Sequence, residues 1–160
     1  MNITNHIFIA IFVFLAQFFL VDFLSIKMIR PDFLVIYIFY FSLLYGRTLG
    51  IIAAFSLGLL SDLSGVGSFF GLAPLALTIN AYLVGFLKGK YERLLPYVFH
   101  LLWLIILLLH FFIITYVNHQ LIFVTSFFDF IIRWLMTFGY TMMFFLVIQF
   151  FFPVKEASIA

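Results

Sequence analysis

Cysteine is absent from this chain of 160 residues, and only 9% of its side chains are charged, against roughly 25% in a soluble globular domain. The first absence excludes disulfides, thiolate metal sites and a cysteine nucleophile. The second excludes a water-soluble fold. No polar stretch is longer than a loop, so there is no room for an aqueous catalytic or ligand-binding domain. Catalytic carboxylate pairs, a serine nucleophile elbow, an HExxH helix and a phosphate loop are missing too, and the expectation is a protein without enzymatic activity, cofactor or metal. The eight Lys and Arg are scattered and the net charge is +2, too thin a basic surface for nucleic acid.

What is present is apolar. Hydrophobic residues make up 67% of the chain, the mean hydropathy is +1.30, and there are 26 Phe. Bulky aromatics in these numbers fill lipid-facing and interhelical space, with Tyr and Trp favoured at the two membrane interfaces. The chain reads as an all-α integral membrane protein forming a single transmembrane domain over residues 1–160.

Six spans are expected. Ile7 to Phe23 has 17 residues, or ~26 Å of helix, enough to cross with slight thinning of the bilayer. No Lys or Arg precedes it and no small-residue cleavage pattern follows, so it reads as a span and not as a signal peptide. Arg30-Pro31-Asp32 opens the second span, with Pro suited to the first helical position and Asp to the positive end of the helix dipole. The apolar stretch Phe33 to Leu60 would be ~42 Å long as one helix and would bury Arg47 at the bilayer centre. Two spans, 32–45 and 48–60, turning at Gly46-Arg47, avoid both penalties. A turn-rich connector, Ser61 to Ser68, leads to a span over 72–87, and the basic loop Lys88 to Arg93 to one over 94–117, with Pro96 tolerated in its first turn. The stretch Leu121 to Phe152 is too long for one crossing, so an interfacial lead-in is expected to about Arg133 and the crossing over 134–152, stopped by Pro153.

With six spans and the N-terminus inside, Arg47, Lys88, Lys90, Arg93 and Lys155 face the cytoplasm and Lys27 and Arg30 the outside, satisfying the positive-inside rule by five to two. A five-span alternative merges the second and third spans, starts outside, and scores six to zero. Charge alone favours five; the buried Arg47 and the overlong helix favour six. Both put Lys88 to Arg93 and the C-terminal tail in the cytoplasm.

Gly46, Gly50, Ala54 and Gly58 recur every four residues and form one smooth helical stripe, with Asp62 continuing the spacing at its end. Ala81 and Gly85, beside Asn80, make a shorter one. Such stripes let another backbone approach closely, either inside the bundle or on a partner, and self-association stays open. Asp62 with Gly65 and Gly71 reads as a ligand-holding turn or as a plain helix end. Asp129 and Arg133, four apart, are expected to pair near the membrane boundary. His100 and His110 lie roughly 80° from a common helical face and are poor joint metal ligands. His110 sits mid-span, where a neutral imidazole bonded to a neighbouring helix is expected.

Arg30-Pro31-Asp32, then Gly58 followed by Asp62-Leu63, Gly65 and Gly71, then Ala81-Tyr82-Leu83-Val84 before a basic loop, resemble the rod shape-determining MreD family, as does the total length. The similarity covers about Arg30 to Arg93. This chain departs from the pattern in its Phe content and in a C-terminal tail, Pro153 to Ala160, with a single Lys, which puts a tail-mediated cytoplasmic contact in doubt. The resemblance implies a multi-pass scaffold of the bacterial inner membrane, part of the cell-elongation machinery for peptidoglycan synthesis. It implies docking to MreC and, through it, association with MreB, RodA and an elongation transpeptidase. It also implies a six-helix fold similar to the substrate-binding subunits of energy-coupling-factor transporters. The rival function is therefore a vitamin-like small-molecule binding subunit. Those subunits carry an Ala-x-x-x-Ala motif on their first helix, whereas Ala10 is followed four residues later by Phe14. On the scaffold reading, Arg30, Asp32 and Asp62 are candidate polar contacts near one interface.

Overall fold

The computed structural model describes residues 3–26, 29–65 and 69–159, with side chains from His6 onward apart from Asp22. Lys27, counted above among the topology charges, and Val66 to Ser68 of the turn-rich connector lie outside the described residues. The described residues form eight helices and no strand: α1 (Ile3–Phe23), α2 (Phe33–Tyr45), α3 (Arg47–Leu63), α4 (Leu72–Gly85), α5 (Pro96–Asn118), α6 (Gln120–Thr125), α7 (Phe127–Phe151) and α8 (Val154–Ile159).

The stretch from Phe33 to Leu60 is a hairpin. Gly46 adopts φ +85°, a conformation that side chains disfavour, and the chain reverses there. A Cβ on Gly50 would lie 2.9 Å from the Cβ of Ser42. Eight residues along one continuous helix would separate those positions by ~12 Å, so the contact requires α3 to run back along α2. Asp32 is itself the N-cap of α2, its carboxylate accepting from the Val35 amide at 3.1 Å, so Pro31 precedes the cap and not the first helical position. Gly71, at φ +92°, stands in the same way before α4.

At 13 and 14 residues, α2 and α4 span only ~20 Å and fall short of a ~30 Å hydrocarbon core. One face of each packs into the bundle. Leu34, Val35, Ile38, Phe39 and Leu43 of α2 and Ala76, Leu77, Ala81 and Val84 of α4 are buried, and the Phe39 ring meets Phe145 of α7 at 5.1 Å and Trp103 of α5 at 5.8 Å. Polar connectors at the ends of short helices are tolerated at such depth because neighbouring protein satisfies their backbone groups. The helices α5 and α7, with 23 and 25 residues, are long and apolar enough to cross a bilayer.

The last long apolar stretch divides differently from the expected boundary at Arg133. The chain breaks at Ser126, whose backbone is extended, and α7 runs unbroken from Phe127 through Arg133 and Trp134. Ahead of the break stands the six-residue α6. Beyond Pro153 the tail forms α8, which packs on the chain itself: Gly89 donates to the Ser158 carbonyl at 2.7 Å, Ser158 Oγ donates to the Leu87 carbonyl at 3.2 Å, and Val154 is buried.

One end of the bundle is basic. Lys88 Nζ donates to the Leu44 carbonyl, the Arg47 guanidinium lies 4.1 Å over the Phe86 ring, Lys90 lies 5.2 Å from the same ring, and Lys155 lies 5.5 Å from Tyr91. The Gly46 reversal, the loop after α4 and the tail therefore share that end. Cations over aromatic faces are stabilised there, as is usual at a membrane interface.

Candidate functional site

The small-residue stripes meet the chain's own helices. Besides Gly50 against Ser42, a Cβ on Gly58 would stand 2.4 Å from the Cα of Pro74, and one on Gly85 would stand 2.7 Å from the Cα of Arg47. Both contacts join α3 to α4 in antiparallel register. Ala54 and Ala81 are fully buried, and Gly46 is the turn. Close backbone approach of this kind is how helices gain packing in lipid, where apolar burial alone drives nothing. The stripe Gly46, Gly50, Ala54, Gly58 and its counterpart Ala81, Gly85 are occupied within the bundle, so a partner must use another face.

The polar candidates separate into two groups. Asp32 anchors a cluster that ties five helices. Its own amide donates to Thr141 Oγ1 of α7 at 3.1 Å, and the Phe33 amide donates to Gln17 Oε1 of α1 at 2.8 Å. Its carboxylate lies 3.6 Å from His110 Nε2 of α5, an electrostatic contact longer than a hydrogen bond. His110 Nδ1 is 3.2 Å from the Ala76 carbonyl oxygen of α4. The buried histidine thus bridges two helices, and the free amides at the start of α2 find acceptors on α1 and α7. Gln17 and Thr141 carry no motif; nothing in their local sequence distinguishes them from residues that fill space.

Asp62 stands apart. Its Oδ2 accepts from the Gly71 amide at 2.5 Å, closing the connection between α3 and α4, while Gly65 turns the chain at φ +76°. The geometry is that of a stapled turn. Asn80 is buried with both side-chain amide atoms unpartnered among the described residues, and Asp62 Oδ1 is likewise unpartnered. Arg30 is exposed next to the Asp32 cluster.

The expected Asp129–Arg133 pair is not made. Asp129 accepts from Ser126 Oγ at 2.7 Å, and Arg133 Nη1 lies 3.4 Å from His119 Nε2. The capping position next to Asp129 and the histidine across the α5–α6 corner compete successfully for the two charges. His119 Nδ1 faces the Thr115 carbonyl at 3.3 Å, so the imidazole donates on one side and accepts from the guanidinium on the other. Burial, and secondarily the Arg133 charge, hold this histidine below the ordinary imidazole range, partly offset by the bond to Thr115. His100 accepts from Trp103 Nε1 at 2.9 Å and does not approach His110. Among the described residues no group of three His, Cys, Asp or Glu could hold a metal ion.

One open feature was invisible in the sequence. Between α1, the outer face of α2 and the junction of α7 with α8 lies a groove of about 750 Å³, lined by side chains such as Val13, Ala16, Tyr37, Phe41, Ile148 and Phe152. Its lining residues are of the same types as those that face lipid or fill the core, so composition gives no signal for it.

Spanning-length apolar helices, short helices buried among them, and polar side chains engaged in holding helices together define a helical membrane protein whose chemistry is packing. Neither a curated protein nor a solved structure matches the chain. The family model of the rod shape-determining protein MreD matches residues 1–156, and the chain belongs to that family. Its members are structural membrane proteins that determine rod shape.

Proposed function

We propose that the protein is a non-enzymatic, six-crossing scaffold of the bacterial inner membrane that seats the membrane helix of MreC in the groove between α1, α2 and α7. The carrying observation is that groove: it is open and apolar, while the small-residue seams are filled by the chain's own helices. A water-soluble vitamin would find few polar partners in such a lining, which favours the scaffold over a transporter subunit. The basic end, with Arg47, Lys88, Lys90 and Lys155, faces the cytoplasm on this reading, and the turn holding Arg30 faces outward. Holding one helix in a fixed place sets the position of the elongation machinery relative to MreB on one side and to RodA and its transpeptidase on the other.

The absence of native cysteine makes the test direct. Single cysteines at Val13 and Ile148 should crosslink to MreC when the two are co-expressed, and one at Leu104, exposed on α5, should not. Adducts at Leu104 alone would remove the groove from the mechanism, and saturable uptake of a small solute into vesicles would support the transporter reading instead.

A further inference from the structure

With 25 residues, α7 is about 37 Å long against a hydrocarbon core of ~30 Å, so its first turns rise into the head-group layer at the end of the bundle away from Gly46. Asp129 lies in those turns, and the long side chain of Arg133, just below, reaches up to the same layer. Beside them α6 buries no residue and leaves Leu121 and Val124 exposed, as a helix lying in the interface does. Between α6, α7 and the turn before Arg30 lies a second cavity of about 410 Å³, lined by Ile29, Ile122, Ser126, Asp129, Arg133 and Met136 among others. It holds one anion and one cation that do not neutralise each other. Among the described residues the carboxylate takes only the Ser126 hydroxyl, and the guanidinium directs one of its five N–H groups at His119.

We propose that this cavity binds the head group of a zwitterionic phospholipid carrying a primary amine. The phosphate sits on the Arg133 guanidinium, whose planar fork fits phosphate oxygens, and the ammonium on the Asp129 carboxylate. Four residues of helix set the two Cα atoms ~6 Å apart along the axis, so both side chains can reach the phosphate and the amine of one head group with a two-carbon tether. The exposed side chains of Ile132 and Met136 continue from the cavity along α7 toward the hydrocarbon and flank the acyl chains. Asp129 sets the selectivity: it repels a purely anionic head group, and a quaternary ammonium has no hydrogen to donate to it. The site lies at the opposite end of α7 from the groove and does not depend on the partner assigned there.

Native mass spectrometry of the full chain with ethanolamine, glycerol and choline phospholipids of identical acyl chains tests this. The ethanolamine lipid should be retained about three- to tenfold better than the other two, the range of one charge-assisted hydrogen bond at a partly exposed site. Asp129→Asn should abolish that preference, and Arg133→Gln should weaken retention of all three. Equal retention of the three lipids by the unmodified protein would overturn the proposal without recourse to any variant. Soluble glycerophosphoethanolamine should fail to displace the lipid at matched concentration; displacement would assign the site to a soluble ligand and overturn the lipid.

Discussion

A methyl group added at Gly58 would stand 2.4 Å from the Cα of Pro74, whereas one added at Gly139 meets nothing within 4 Å. The two glycines sit in helices of the same protein, yet substitution should move stability in opposite directions. Gly58→Ala forces α3 and α4 apart and should destabilise by about 1–3 kcal/mol, while Gly139→Ala should stabilise by about 0.4–1 kcal/mol by restricting the unfolded chain. Thermal unfolding of both variants in one detergent checks the sign. His119 yields a second prediction at this scale. Its folded-state affinity for a proton is lowered, so its contribution is complete above the ordinary imidazole value of about 6.5 and is lost as pH falls below it. The melting temperature should drop between about pH 7.5 and 5.5, and His119→Gln should flatten the part of that slope due to the α5–α6 corner. Gly50 and Gly58 were legible in the sequence as a close-packing stripe, because spacing is local information. Their neighbours, Ser42 and Pro74, were not, because spacing says nothing of which helix comes to lie alongside.

Among the elements, the α2–α3 hairpin and α8 carry the most consequence. Reversal at Gly46 puts the turn before Arg30 and the loop at Lys90 at opposite ends of the bundle, whereas a merged α2–α3 would put them on one side. Cysteines at Ser25 and Lys90 should accordingly label from opposite sides of intact inner-membrane vesicles, and labelling from the same side would restore the five-span count. Val154 and Ala157 of α8 are buried and Ser158 bridges to Leu87 and Gly89. Deleting residues 154–160 should therefore lower the melting temperature and speed proteolysis at the basic end. The break at Gly46 was readable from turn chemistry and from the penalty on Arg47. The start of α7 at Phe127 was missed although the sequence carries a signal for it, Ser126 followed three residues later by Asp129, a helix-start pattern that the apolar residues on both sides obscure.

For the whole molecule, the division between filled seams and an open groove separates residues that hold the bundle from those available to a partner. Ala16→Trp should occupy part of the groove, reduce capture of MreC and leave the melting temperature nearly unchanged. Leu104→Trp, on the exposed face of α5, should change neither. Loss of folding in Ala16→Trp would show that α1 and α7 close on each other more tightly than the groove implies.

Sequence alone determined the solvent, the helical class and the basic loop Lys88 to Arg93, and at Gly46 it set charge against length and the penalty on Arg47, because hydropathy, turn chemistry and charge are properties of short stretches. Tertiary structure alone decided that Asp32 is held by Thr141, 109 residues away, that Asp129 and Arg133 take other partners, and that α1 and α7 leave a groove over α2. In a membrane protein the core and the lipid-facing surface are built from the same residues, so the pattern that separates inside from outside in water is missing, and placement emerges only when the helices pack.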